Sequence, residues 1–208
     1  MIGALHRVLA AGMELPRVYS NTQSVAGWDR GWQIVVGEHL RPHTGERILD
    51  IGCGPADVLR WLPPVDYTGV DPSELCIQAC EQRHAGRGHF VCGSANDLAA
   101  TGPEPYDTVL MLGVLHHMDD QEARDTAALA ARLLRPGGRL VSLDTCRWPG
   151  RPLMARLLSR ADRGAWVRDR DGYTALVQPS FDDVQALPLH HLLRLPSTHL
   201  LIEARRGR

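Results

Sequence analysis

The sequence predicts an α/β fold: a doubly wound, mostly parallel sheet of seven strands with a closing antiparallel strand and helices on both faces. Three observations predict it. The stretch ILDIGCGPAD, Ile48 to Asp57, is an apolar run too short for a helix that ends in two glycines flanking a cysteine. That is the pattern of a buried parallel strand entering a tight turn and then a helix. An acidic residue, Asp71, closes a second apolar run about 20 residues later, where a nucleoside ribose would find a carboxylate. From Glu46 onward strand-like and helix-like segments alternate, and such alternation requires parallel strands joined by right-handed crossovers.

Residues 1–45 read as two or three helical pieces forming an N-terminal lid segment, with a break at Pro16 and a possible cap in Ser20 to Thr22. Val25, Trp28, Trp32, Val35, Val36 and Leu40 fall near helical spacing and make one apolar stripe. The main domain, 46–208, begins with a strand over Arg47 to Ile51 and a short helix over Ala56 to Leu62, stopped by Pro63 and Pro64. A second strand, Asp66 to Val70, leads to Asp71, and Pro72 and Ser73 open a helix that runs to about His84. His89 to Cys92 is a third strand, followed by a polar turn. Tyr106 to Leu112 is a fourth, almost wholly apolar and so expected to be central. Asp119 to Leu134 reads as an amphipathic helix, acidic at its start and closed by Pro136, Gly137 and Gly138, before a fifth strand over Arg139 to Leu143. Beyond Asp144 the pattern loosens into an arginine-rich helix (Pro149 to Asp162), an irregular connection (Trp166 to Pro179) and two alternating strands, Phe181 to His191 and Thr198 to Ala204. In such a sheet ligands bind beyond the carboxyl ends of the strands, so Gly52, Asp71, Asn96, Leu112 and Asp144 are expected to converge on one crevice.

Composition narrows the function classes. With 23 Lys and Arg against 24 Asp and Glu, no broad attraction to nucleic acid or anionic lipid is built in. The five cysteines are odd in number and have no disulfide or CxxC spacing, which suits structural thiols in a reducing compartment, and no metal site is expected. No run approaches the ~18 apolar residues of a membrane span, and the first residues lack the build of a signal peptide. A cytoplasmic protein, monomer or homodimer, is the expectation.

Four stretches together, ILDIGCGPAD, YTGVDPS at Tyr67, YDTVLMLGVLHHM at Tyr106 and LLRPGGRLVSLD at Leu133, resemble the class I S-adenosylmethionine-dependent methyltransferases, whose fold is Rossmann-like. One departure is Ala56, where many members carry glycine. The resemblance implies S-adenosyl-L-methionine as cofactor, with Asp50, Gly52, Cys53 and Gly54 facing its methionine part. It implies Asp71 at the ribose and Pro72 and Ser73 beside the adenine. Ala95, Asn96 and Asp97 become candidates for further adenine contacts, and Leu112 for a carbonyl that receives the ammonium. The residues themselves agree: a ligand with a sulfonium, an ammonium and a carboxylate needs acceptors and backbone donors, and a GxxxxGKS phosphate loop is absent.

His116 and His117 directly follow the fourth strand, and either could take a proton from an acceptor hydroxyl or amine. The competing expectation is that His117 is packed and His116 faces solvent. Tyr19, in a polar segment ahead of the first strand, is a third candidate for the reaction site, and Trp28, Trp148 and Tyr173 could wall it. The expected activity is methylation of a small-molecule oxygen or nitrogen nucleophile in a biosynthetic pathway, with neither nucleic acid nor membrane as partner. Two alternatives keep the cofactor: cyclisation of S-adenosylmethionine itself to azetidine-2-carboxylate, and a non-catalytic binding subunit docking through the Trp28, Trp32 and Val36 stripe.

Overall fold

The computed structural model describes residues 27–149, 166–190, 192–193 and 197–207. Among them one seven-stranded sheet contains β1 (Arg47–Ile51), β2 (Asp66–Asp71), β3 (His89–Cys92), β4 (Tyr106–Leu112), β5 (Leu134–Thr145), β6 (Asp183–His190) and β7 (Thr198–Arg205), in the order β3-β2-β1-β4-β5-β7-β6. The first five strands pair in parallel, and β7 runs antiparallel to both of its neighbours, β5 and β6. The chain winds outward from β1 in one direction and from β4 in the other. The crevice therefore opens where those two strands part, beyond their carboxyl ends.

Among the described residues five α-helices cover the sheet: α1 (Trp28–Ile34, continued by a π-helical turn Val35–Leu40), α2 (Glu74–Arg83), α3 (Ala95–Ala100), α4 (Asp120–Leu133) and α5 (Arg170–Val177). Their starts are set by local chemistry. Asp119 accepts from the amides of Gln121 and Glu122 to begin α4, and Asp120 and Glu122 place negative charge in its first turn. On one face Leu49, Val109, Met111 and Leu140 pack against Ala123, Ala127 and Ala130 of α4 and Leu176 of α5. On the other Ile48, Leu110, Val141 and Leu143 meet Trp32, Val35 and Leu40 and Ile77 of α2. Neighbouring residues of β4 thus enter opposite cores, which is why that strand shows no polar alternation.

Several expectations are corrected or fall outside the described residues. The connection Trp166 to Pro179 is not irregular: it holds α5, started by Asp169, whose Oδ1 accepts from the Gly172 amide at 2.9 Å. The polar turn after β3 is the first turn of α3, and the LRPGG segment already belongs to the ladder of β5, paired at Tyr106↔Leu134 before a register shift to Thr108↔Arg139. The Trp28 stripe turns inward, with Trp32 and Val36 buried, so the exposed patch required by a docking subunit is not on this helix. Tyr19 and the helical pieces before residue 27 lie outside the described residues, as does the arginine-rich segment from residue 150 to 165. No helix among the described residues is long and apolar enough to cross a membrane.

Candidate cofactor and acceptor site

The glycine turn after β1 is tied to β2 along its length. The amides of Gly52 and Cys53 both donate to the Val70 carbonyl, at 2.8 and 3.1 Å. Gly54 then donates to Asp71 Oδ2 at 2.9 Å, while Asp71 Oδ1 accepts from the Ser73 amide at 2.8 Å. Asp71 is therefore the clasp between the turn and the start of α2, and each of its oxygens keeps a second lone pair for a ribose hydroxyl. Gly52 has φ +69°, and a Cβ there would stand 2.8 Å from Val114 Cγ2. Ala56, the departure from the family's glycine, also has positive φ at 53° and is fully buried, a strain of about 1–2 kcal/mol for a residue with a Cβ. Cys53 is buried beside Cys80, whose thiol donates to the Gly54 carbonyl at 3.1 Å, so both sulfurs pack the underside of the turn.

Asp50, on the last turns of β1, is almost wholly buried. Its Oδ2 accepts from the Tyr67 hydroxyl at 2.7 Å, and its Oδ1 has no hydrogen-bond partner among the described residues. Burial pushes its carboxyl up to about 7, with the Tyr67 bond acting against the shift and the charge of Asp71 adding to it. The folded group thus holds its proton where an unfolded aspartate has released it. Between about pH 4 and pH 7 the unfolded state therefore gains from ionisation and stability falls as pH rises, by about 1.4 kcal/mol per pH unit from this residue. Above pH 7 the contribution is flat. Urea midpoints measured from pH 5 to 8 should show this slope in the wild type and lose it in Asp50→Asn; equal slopes in the two would show that Asp50 ionises normally.

On the adenine side, Ala95, Asn96 and Asp97 form the first turn of α3. Asp97 is engaged in a capping box: its Oδ2 accepts from the Ser94 amide at 2.8 Å and from the Ser94 hydroxyl at 2.6 Å. Those bonds, the hydroxyl's first, hold its carboxyl below the usual range. Asn96 is exposed and Ala95 half-buried beside it. Pro72 is exposed and Ser73 caps α2 by accepting from the Cys76 amide. Leu112 ends β4, and the next residue, Gly113, donates to the Leu143 carbonyl at 2.7 Å.

Beyond β4 a 3-10 turn, Leu115–His117, carries both histidines. Their exposure is the reverse of the packed-His117 expectation: His116 is buried at 6% and His117 is exposed. The His116 ring Nδ1 lies 2.8 Å from Asp144 Oδ1, which also accepts the His116 amide at 3.2 Å. A carboxylate can only accept, so Nδ1 carries the proton and Nε2 is the basic nitrogen. Asp144 is 1% exposed, and its Oδ2 has no hydrogen-bond partner among the described residues. The His117 ring packs against that of His116 at a tilt of 39°, with centroids 4.1 Å apart.

Arg168 was not singled out by its sequence. Its guanidinium donates to the carbonyls of Leu115 (2.9 Å), Met118 (2.8 Å) and Trp166 (2.9 Å) and to Asp120 Oδ1 (2.7 Å). It also lies over the Tyr173 ring, whose hydroxyl donates to the Thr145 carbonyl at 2.9 Å. One side chain thus pins both ends of the His116 turn to the segment entering α5. Tyr173, a candidate wall residue, is fully buried in this support. Trp148 is half-buried with its ring 5.3 Å from that of His190, and Trp28 packs on Trp32 and His199.

A seven-stranded sheet with this order, a Cβ-intolerant turn after β1 and a clasping acid after β2 make a Rossmann-like arrangement suited to a nucleoside-bearing ligand. Residues 48–138 match the family described as methyltransferase domain. The chain is 33% identical over 132 residues to the O-methyltransferase cnsE of Penicillium expansum, covering 58% of this chain and 47% of that one. It is 31% identical over 160 residues to the O-methyltransferase rstn1 of Aspergillus nomiae, covering 73% and 66%. Human N-acetylserotonin methyltransferase, solved in complex with its S-adenosylmethionine ligand, shares the fold at a TM-score of 0.69 and 18% identity, over 95% of this chain and 56% of that one. These likenesses together support a class I S-adenosylmethionine-dependent methyltransferase. It spans about half to two thirds of the length of these two fungal relatives. The residues present fit that family's cofactor: a backbone turn with no room for side chains at Gly52, a carboxylate with spare lone pairs at Asp71, and a buried Asp50 oxygen with no partner among the described residues.

Proposed function

We propose that this chain transfers a methyl group to a hydroxyl of an uncharged small molecule, with His116 as general base and Asp144 as the group that orients it. The observation that carries this is the buried His116–Asp144 pair at the carboxyl ends of β4 and β5. S-adenosylmethionine, when bound, supplies an electrophilic methyl on a sulfonium. Asp71 holds the ribose hydroxyls, the Gly52 to Gly54 turn admits the methionine part, and the Leu112 carbonyl accepts from the ammonium. Asp144 keeps the proton on Nδ1 and stabilises the imidazolium that forms when Nε2 takes the acceptor's proton. Two relatives named as O-methyltransferases favour oxygen over nitrogen. The near balance of charges favours a small molecule, in a cytoplasmic biosynthetic reaction, over nucleic acid or a membrane surface. Tyr19, ahead of the first strand in the sequence, is kept in this reading as a third residue of the reaction site.

The test is incubation with S-adenosylmethionine and a panel of hydroxyl compounds and amines, followed by mass spectrometry. S-adenosylhomocysteine together with a methyl ether is expected, and His116→Gln should lower its formation by about 10²–10⁴. Methylthioadenosine formed without any acceptor would instead establish cyclisation of the cofactor.

A further inference from the structure

We infer that the acceptor is a flat aromatic hydroxyl compound, seated against the indole of Trp166 beside His116. This rests on the methyltransferase reading above and names the substrate class of the same site.

Trp166 is 48% exposed and is the one aromatic among the exposed large apolar side chains of the described residues. Its backbone is nevertheless fixed. The Trp166 amide donates to the His116 carbonyl at 3.0 Å, and its own carbonyl accepts from Arg168 Nη1 at 2.9 Å. The indole is thus carried on a strap that the same guanidinium fastens to Leu115 and Met118, the residues bracketing the histidine pair. A large apolar ring held half in water on a pinned backbone is what a planar ligand would cover, since stacking adds to the area it removes from water. The exposed His117 ring, lying on His116 at 4.1 Å, presents a second flat surface at the same turn.

Charge chemistry agrees. Arg168 is engaged by three carbonyls and by the exposed carboxylate of Asp120, and Asp144 holds His116, so these charges are matched within the protein.

The experiment uses the full chain saturated with S-adenosylhomocysteine and two probes of similar size, 2-naphthol and its saturated analogue decahydro-2-naphthol, with binding read by calorimetry. The expected result is at least ten-fold tighter binding of 2-naphthol. Trp166→Phe should keep that preference within about three-fold and Trp166→Ala should remove it, with S-adenosylhomocysteine affinity unchanged in both. Equal binding of the two probes, or a Trp166→Ala variant that still prefers 2-naphthol, overturns the inference. Turnover with labelled S-adenosylmethionine separates the two proposals. Methylation of decahydro-2-naphthol in preference to 2-naphthol overturns this inference and leaves hydroxyl methylation standing, whereas preferred methylation of an amine, or no methyl ether from either alcohol, overturns the hydroxyl reading on which it rests.

Discussion

Asp144→Asn is expected to lower kcat on a hydroxyl acceptor by about 10²–10⁴ while the dissociation constant of S-adenosylmethionine stays within about two-fold of wild type. The geometry explains why the loss falls on turnover. Asp144 Oδ1 accepts both the His116 ring proton and the His116 amide, and an asparagine carbonyl can occupy the same place. The turn then keeps its shape, but the negative charge that stabilises a protonated imidazole is gone. The asparagine NH2 would replace an oxygen that is buried with no partner among the described residues, adding about 1–3 kcal/mol of destabilisation for an unmet donor. A variant with wild-type kcat would reduce His116 to a packing residue.

The sheet was legible because it is written in local pattern. The bounds of β1, β3 and β4 follow from apolar runs and their punctuation alone, and Asp71, Leu112 and Asp144 stand at the carboxyl ends of β2, β4 and β5. The pattern does not specify which of two adjacent histidines turns inward. That depends on the backbone at Gly113, with φ +77°, and on the 3-10 turn it starts, which rotates His116 toward Asp144 and leaves His117 outside. Asp97, a candidate adenine contact because the resemblance places such contacts in the turn after the third strand, is also the third helical residue of the capping box that starts α3. Arg168 left no trace for a different reason. Three of its partners are backbone carbonyls of Leu115, Met118 and Trp166, and a carbonyl contact constrains no side-chain identity at the other end. Helix α5, eight residues long with Gly172 in its first turn, is held by packing of Leu176 and Val177 more than by propensity, so its sequence reads as a connection.

Gly52→Ala and Gly54→Ala should fail in different ways, although the two glycines sit two residues apart with positive φ. At Gly52 the added Cβ meets Val114 Cγ2 at 2.8 Å, so Val114 or the turn must move. Strain at φ +69° and overpacking together predict a loss of about 2–4 kcal/mol of stability, a large share of what a domain of this kind holds. At Gly54 nothing among the described residues beyond its chain neighbours lies within 4 Å of the added Cβ. Only the backbone strain remains, about 1–2 kcal/mol, and the methyl group instead projects into the open space a ligand would approach. Gly54→Ala should therefore weaken S-adenosylmethionine binding by ten-fold or more at modest cost to the urea midpoint. Val114→Ala supplies the internal check: it removes the atom that Gly52→Ala strikes, so the double variant should be more stable than the sum of the single losses predicts, by about 1–2 kcal/mol. Additive losses, or equal midpoints for the two glycine variants, would mean that the turn yields and that Val114 does not set its position. Because Val114 leads into the turn bearing His116, the clash at Gly52 also tests whether the cofactor turn and the base are held in register by direct packing.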